Sequence, residues 1–276
     1  MIKAIKDSQM QILDLFSGIG GFSVGFESAN YQDYDFTKLP INQKYKSDGF
    51  YKTIAFCETD KNCQKVLKKH WANVPIFEDV HTLDKPTLDK LGEIDIITGG
   101  FPCQDLSLAG KRVGIQGSRS SLFIEILRIA NVTKPKFILF ENTPELVRNK
   151  QYFKIFTQEL RERGYRCRAF LLRADAFGYP HKRQRAYIVA YSDEIGQFCV
   201  ETLFDCLSNG NTQKPSEEII SIYRRYLWRN KNGYKNNIRD IRNDNGFPEN
   251  VERVGILGNS VVPEIVARFA RFIKYI

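Results

Sequence analysis

Apolar residues in this chain gather in short runs. Residues 11–16, 53–57, 74–77, 94–98, 137–140, 167–172 and 186–191 are each too short for a helix of useful length and read as buried strands. Stretches with helical spacing fall between them. A helix opens at Phe22, with Val24 and Phe26 apolar, and residues 61–70 place Cys63, Val66 and Leu67 on one side. Residues 122–132 present Leu122, Ile126, Leu127 and Ile129, and residues 152–163 run to Gly164, a C-terminal stop. A final amphipathic helix contains Ile265, Val266, Phe269, Phe272 and Ile273. Strands alternating with helices predict an α/β architecture.

Two stretches break the alternation. Residues 30–52 are rich in Tyr, Lys, Asp and Asn without a clear period and read as a surface excursion. After Ser192 the alternation lapses, and Arg224, Arg225, Arg229, Lys231, Lys235, Arg239 and Arg242 interleave with Tyr223, Tyr226, Trp228 and Tyr234. Such a mixture suits phosphate contact with base or sugar packing, and a solvated face of a small domain looks the same.

Candidate chemistry collects where the strands end, the edge at which α/β sheets hold ligands. The first strand runs into Ser17-Gly18-Ile19-Gly20-Gly21-Phe22, a glycine turn opening a helix, although Ser23 replaces the third glycine of a dinucleotide fingerprint. The second ends at Glu58, well past the usual spacing for a ribose-binding acid, so that a solvated strand-end carboxylate explains it equally well. The third ends at Glu78-Asp79-Val80, and the fifth stops at Glu141-Asn142. The fourth delivers Gly99-Gly100-Phe101-Pro102-Cys103-Gln104-Asp105-Leu106-Ser107, followed by a polar, glycine-rich and basic loop. A lone cysteine at a strand end is more often packing than nucleophile.

Composition narrows the classes. Hydrophobic residues make up 42% of the 276 and charged residues 26%, an ordinary globular balance with enough chain for a proper core. No apolar run approaches the roughly 18 residues that span a bilayer, and the opening residues lack an apolar signal region. Six cysteines without a C-x-x-C pair, and only three histidines, disfavour a zinc site or a disulfide framework. The expected setting is therefore a reducing cytoplasm, with no membrane and no metal. A net charge of +9 points to a polyanionic partner.

Five segments in order are specific enough to carry a resemblance. Asp14-Leu15-Phe16-Ser17-Gly18-Ile19-Gly20-Gly21-Phe22, Gly100-Phe101-Pro102-Cys103-Gln104, Glu141-Asn142, Gln184-Arg185 with its following strand, and Gly258-Asn259-Ser260-Val261-Val262-Pro263 resemble DNA (cytosine-5) methyltransferases of bacterial or phage type. The resemblance covers nearly the whole chain outside residues 30–52 and 192–250. It implies a Rossmann-like large domain, residues 1–191 plus 251–276, and a small irregular target-recognition domain, residues 192–250. It implies S-adenosyl-methionine held by Phe16, Ser17, Gly18, Gly20, Gly21 and Pro102, with Glu58 on the ribose, Asp79-Val80 at the adenine, and Asn259 and Ser260 closing the pocket. Cys103 would be the nucleophile, Glu141 would hold the ring nitrogen of cytosine, and Arg183 and Arg185 would stabilise its carbonyl side.

The chemistry needs these residue types. Carbon 5 of cytosine is a poor nucleophile until a thiolate adds to carbon 6, and a duplex base must be flipped out to be reached. Gln104, Ser107, Lys111, Arg112 and Arg119 are candidates to fill the gap and grip phosphates, with Arg224, Arg225, Arg229 and Lys231 as further DNA contacts. The implied partner is double-stranded DNA, met by a monomer or by a chain completed by a partner subunit, in a bacterial or phage-infected cell. Alternatives are a transfer-RNA cytosine-5 methyltransferase and a DNA-binding regulator with a degenerate site. Thr143 stands where the family commonly has valine, and residues 243–248 match the penultimate motif only loosely.

Overall fold

The computed structural model describes residues 9–30, 49–101, 122–177, 182–195 and 261–273. Among them, β1 (Met10–Leu15), β2 (Tyr51–Cys57), β3 (Ile76–Phe77), β4 (Ile96–Gly99), β5 (Phe137–Asn142), β6 (Tyr165–Arg173) and β7 (Gln184–Ser192) form one sheet in the order β3-β2-β1-β4-β5-β7-β6. The helices are α1 (Gly21–Ser28), α2 (Lys61–His70), α3 (Lys85–Leu91), α4 (Leu122–Thr133), α5 (Glu145–Arg148), α6 (Lys150–Arg161) and α7 (Pro263–Ile273).

Strands β1 to β5 are parallel, with β2 and β4 flanking β1 on opposite sides, so the strand order reverses beside β1. Crevices at such a reversal, outside the carboxyl ends of the strands, are where open α/β sheets bind ligands. β7 then runs antiparallel to β5, and β6 antiparallel to β7. The reversal of β7 brings its amino end, Gln184 and Arg185, to the carboxyl end of β5.

Side chains alternate across the sheet and fill two cores. On one face Leu13, Leu15, Ile97, Ile138 and Phe140 pack with Phe123, Ile126, Phe156 and Leu160 of α4 and α6. On the other, Ile12, Ile96, Leu139, Tyr187 and Val189 pack with Phe22 and Phe26 of α1 and Val266 and Phe269 of α7. The last described helix thus closes the face opened by the first. Their contact is close: a Cβ on Gly25 would stand 2.4 Å from Val266 Cβ and 2.6 Å from the Pro263 carbonyl.

The α/β reading holds, with local corrections. Residues 51–52, assigned above to a surface excursion, belong to β2, and Tyr51 is buried with its hydroxyl donating to the Ala270 carbonyl. The third strand keeps only Ile76–Phe77, because the Val74 N–H turns back to the Trp71 carbonyl and Pro75, having no N–H to donate, meets β2 only through its carbonyl, which accepts from the Phe56 N–H at 2.9 Å. β5 runs through Glu141-Asn142 instead of stopping before them, and α6 starts at Lys150, capped by Asn149. Ser192 is the last residue of β7. The short helix α3 was not anticipated.

Candidate active site

The glycine turn is built by backbone geometry. Phe16, Gly18 and Gly20 all have positive φ, at 53°, 54° and 85°. Gly18 faces open space, whereas a Cβ on Gly20 would lie 2.8 Å from the Trp71 ring and one on Gly21 2.9 Å from the Val261 carbonyl. Gly20 and Gly21 are therefore demanded by packing on the inner side of the turn. Helix α1 begins with Gly20 as N-cap and no side-chain cap; the Ser23 N–H goes to the Asp14 carboxyl, and the N–H groups of Gly21 and Phe22 are what the turn can offer a ligand. The Ser17 hydroxyl donates to the Asp14 carbonyl at 2.6 Å, which commits it to the fold.

Glu58, at the end of β2, is tied to this turn. Its Oε2 accepts from the Gly18 N–H at 2.6 Å and its Oε1 from the Asp60 N–H at 2.8 Å. Each oxygen keeps a lone pair for a hydroxyl donor. Asp79, beyond β3, uses Oδ1 to accept from the His81 N–H at 2.9 Å and to meet the His81 ring Nδ1 at 2.7 Å. These hydrogen bonds hold the Asp79 carboxyl below the usual range. The Val80 side chain is buried in the core, leaving only its backbone to face a ligand.

At the other end of the site stands Glu141. Cross-strand register pairs Glu141 with Tyr187. The period of two then puts Arg185 and Arg183 on the same face of the sheet as Glu141. Glu141 Oε1 lies 3.1 Å from Arg185 Nε and 3.8 Å from Arg183 Nη2. Oε1 is buried yet makes no hydrogen bond among the described residues. Burial pushes the Glu141 carboxyl up, and the two arginines only partly offset this. The result is a carboxyl that holds a proton more readily than a surface glutamate. Gly100 lies alongside, 3.7 Å from Glu141 Oε2 at its Cβ position.

Asn142, on the opposite face, donates from Nδ2 to the Phe101 carbonyl at 2.9 Å. It thereby anchors the chain two residues before Cys103. Phe101 is itself clamped among Phe123, Phe140 and Phe156. Pro102, Cys103, Gln104, Ser107, Lys111, Arg112, Arg119, Arg224, Arg225, Arg229, Lys231, Asn259 and Ser260 lie outside the described residues.

Three supporting residues escaped the sequence reading. Trp71 packs on Gly20, and its indole N–H donates to the buried Glu27 carboxylate at 3.0 Å. Arg128 of α4 donates to the Leu83 and Val80 carbonyls at 2.8 and 3.0 Å, fastening the turn after Asp79. Thr98 donates to Asp14 Oδ1 at 2.7 Å. A polar residue inside an apolar strand, as Asp14 and Thr98 are, was the available signal. Nothing local marks Trp71 or Arg128.

A strand-order switch with an uncapped glycine turn on one side and a buried carboxyl between arginines on the other defines a Rossmann-like methyltransferase architecture. The model of the C-5 cytosine-specific DNA methylase family matches residues 10–255, and the chain belongs to that family. It is 29% identical over 252 residues, 91% of this chain, to the Type II methyltransferase M.CviJI of Paramecium bursaria Chlorella virus IL3A. It is 32% identical over 210 residues, 75% of this chain, to the Type II methyltransferase M.NgoBI of Neisseria gonorrhoeae. In each comparison the match spans 56% of the relative's length. The fold is shared with the structure of a Spodoptera frugiperda DNMT2 mutant, with a TM-score of 0.61 at 17% identity over 96% of this chain and 99% of that one.

Proposed function

We propose that this chain transfers a methyl group from S-adenosyl-methionine to carbon 5 of a cytosine flipped out of duplex DNA. The observation that carries the reading is the Glu141 carboxyl: buried, raised toward its protonated form, flanked by Arg183 and Arg185, and lacking a hydrogen bond at Oε1 among the described residues. Cytosine offers a ring nitrogen that takes up charge when a nucleophile adds at carbon 6. A protonated carboxyl placed there can donate to it, while the guanidinium groups support the carbonyl side. Family membership supports the choice of substrate and reaction.

The turn fits the cofactor's chemistry. Gly18 opens on free space, the first turn of α1 has spare N–H groups for a carboxylate, and Glu58 offers lone pairs to ribose hydroxyls. Phe16, Ser17, Gly20, Gly21, Asp79, Val80, Pro102, Asn259 and Ser260 complete the proposed pocket, with Ser17, Gly20, Gly21 and Val80 serving through their backbones. The cofactor supplies an electrophilic methyl on a sulfonium.

Cys103 gives its proton to a base and its sulfur bonds to carbon 6, while Glu141 donates a proton to the ring nitrogen. Carbon 5, now enamine-like, can then take the methyl, the methyl–sulfur bond breaking to leave the neutral thioether. A base removes the proton from carbon 5, the bond to sulfur breaks, and Glu141 recovers its proton. Gln104, Ser107, Lys111, Arg112 and Arg119 hold the opened duplex. Residues 192–250 form the recognition domain, with Arg224, Arg225, Arg229 and Lys231 on phosphates. The site of action is the cytoplasm of a bacterial or phage-infected cell.

The test is cytosine-methylation sequencing of DNA from bacteria expressing this chain, beside a Cys103→Ala control, with transfer RNA assayed in parallel. A short motif methylated only with the intact cysteine is expected. Folded, cofactor-binding protein that leaves all DNA unmodified would overturn the reading.

A further inference from the structure

We propose that Asp14 is a positioning residue that locks the cofactor turn to the strand delivering Cys103. The inference rests on the methyltransferase reading above. Asp14 is fully buried at the centre of the sheet. Its Oδ2 accepts from Ser23 Oγ at 2.7 Å, and its Oδ1 accepts from Thr98 Oγ1 at 2.7 Å. Ser23 lies in the first turn of α1, two residues after Gly21. Thr98 lies in β4, opposite Asp14 in the parallel register and two residues before Gly100.

This is a costly device if its only purpose is cohesion. Among the described residues Asp14 makes no ion pair, and two neutral hydroxyls and the Ser23 backbone N–H replace its water. An apolar side chain would fill the same place in a sheet flanked by Ile12 and Ile96 without the desolvation penalty. What the carboxyl adds is direction. It fixes α1 to β4 by short, angle-dependent bonds, and each partner adjoins a different half of the site. On the β4 side, the Cβ position of Gly100 lies 3.7 Å from Glu141 Oε2 and 3.9 Å from the Phe22 ring of α1. A slip of α1 along β4 would therefore disturb the glycine turn, the Glu141 surroundings and the start of the cysteine loop together. The serine that breaks the dinucleotide fingerprint becomes a functional choice: a glycine there would keep the backbone N–H bond to Asp14 but lose the hydroxyl bond.

The full chain is compared as wild type, Ser23→Ala, Thr98→Val, the double variant and Thr98→Ser. Dissociation constants for S-adenosyl-homocysteine come from calorimetry, KM and kcat from methyl transfer to DNA, and melting midpoints from the same preparations. Each single loss of a hydroxyl is expected to raise the S-adenosyl-homocysteine dissociation constant and the KM for S-adenosyl-methionine about tenfold. The double variant is expected to match the worse single one, because either change breaks the same bridge. Thr98→Ser restores the hydroxyl and should restore affinity. Lowered melting midpoints with unchanged dissociation constants and KM, or losses that simply add, would overturn the proposal. Should wild type bind S-adenosyl-homocysteine yet methylate nothing, the reaction assigned above falls, while the calorimetric comparison still decides the role of Asp14.

Discussion

The two halves of the candidate site are held by opposite means. On the cofactor side, polar groups are spent on one another: Gly18 on Glu58, Ser17 on the Asp14 carbonyl, Ser23 and Thr98 on the Asp14 carboxyl, Asp79 on His81. On the other side, strand register brings Glu141 to Arg185, with Arg183 just before β7, and a buried oxygen is left without a hydrogen bond among the described residues. A rigid cradle suits a small molecule of constant shape. Under the proposed reaction, such a carboxyl would suit a base that arrives only after leaving its duplex and then supplies the missing partner. The difference teaches that the polar group left open lies, on that proposal, in the half that would meet the nucleic acid.

The contrast can be broken by substitution. Cys103→Ala should remove turnover altogether, a loss on the order of a thousandfold or more, measured by methyl transfer to DNA, while S-adenosyl-homocysteine binding survives. Glu141→Gln keeps the shape but not the acid, and kcat should fall about 10²- to 10⁴-fold with KM for S-adenosyl-methionine unchanged. An effect on KM instead would show that the two halves are not separate.

Backbone changes probe the cradle. Gly20→Ala must adopt a φ of 85° and push Trp71 aside, so urea denaturation should show a loss of about 2 kcal/mol. Acid titration probes its centre. Burial raises the Asp14 carboxyl from 3.8 to about 7. The folded state then binds a proton that the unfolded state has released, so Asp14's contribution is greatest below pH 4 and is lost as pH rises to 7. Relative to wild type, Asp14→Asn should gain stability across that window by up to about 1.4 kcal/mol per pH unit, and be flat above it. The smallest effect belongs to the exposed Lys61–Glu78 pair at the rim. There, Lys61→Ala should change stability by less than about 0.5 kcal/mol.

Much of this fold could be read from residues alone, and particular elements show why. Helix α2 was bounded correctly because Asp60 caps it and its apolar positions recur at helical spacing. The strands were found because double-sided burial in a parallel sheet leaves continuous apolar runs. Helix α3 was missed although Asp84, Pro86 and Gly92 mark both its ends, since among its residues only Leu88 is buried and no apolar stripe announces it. Glu141, Arg183 and Arg185 were assigned from motifs, but their meeting depends on β7 running backwards. Tyr51 looked like a surface residue because its partner, the Ala270 carbonyl, lies more than two hundred positions away.

The close seat of α7 on α1 has a consequence for synthesis. Phe22 and Phe26 leave the ribosome long before Val266 and Phe269 exist to cover them, and the turn at Gly21 rests on Val261. The nascent chain therefore carries an open apolar seam until α7 emerges, a stage at which holdase chaperones would be its natural company. A premature stop anywhere upstream leaves that seam uncovered.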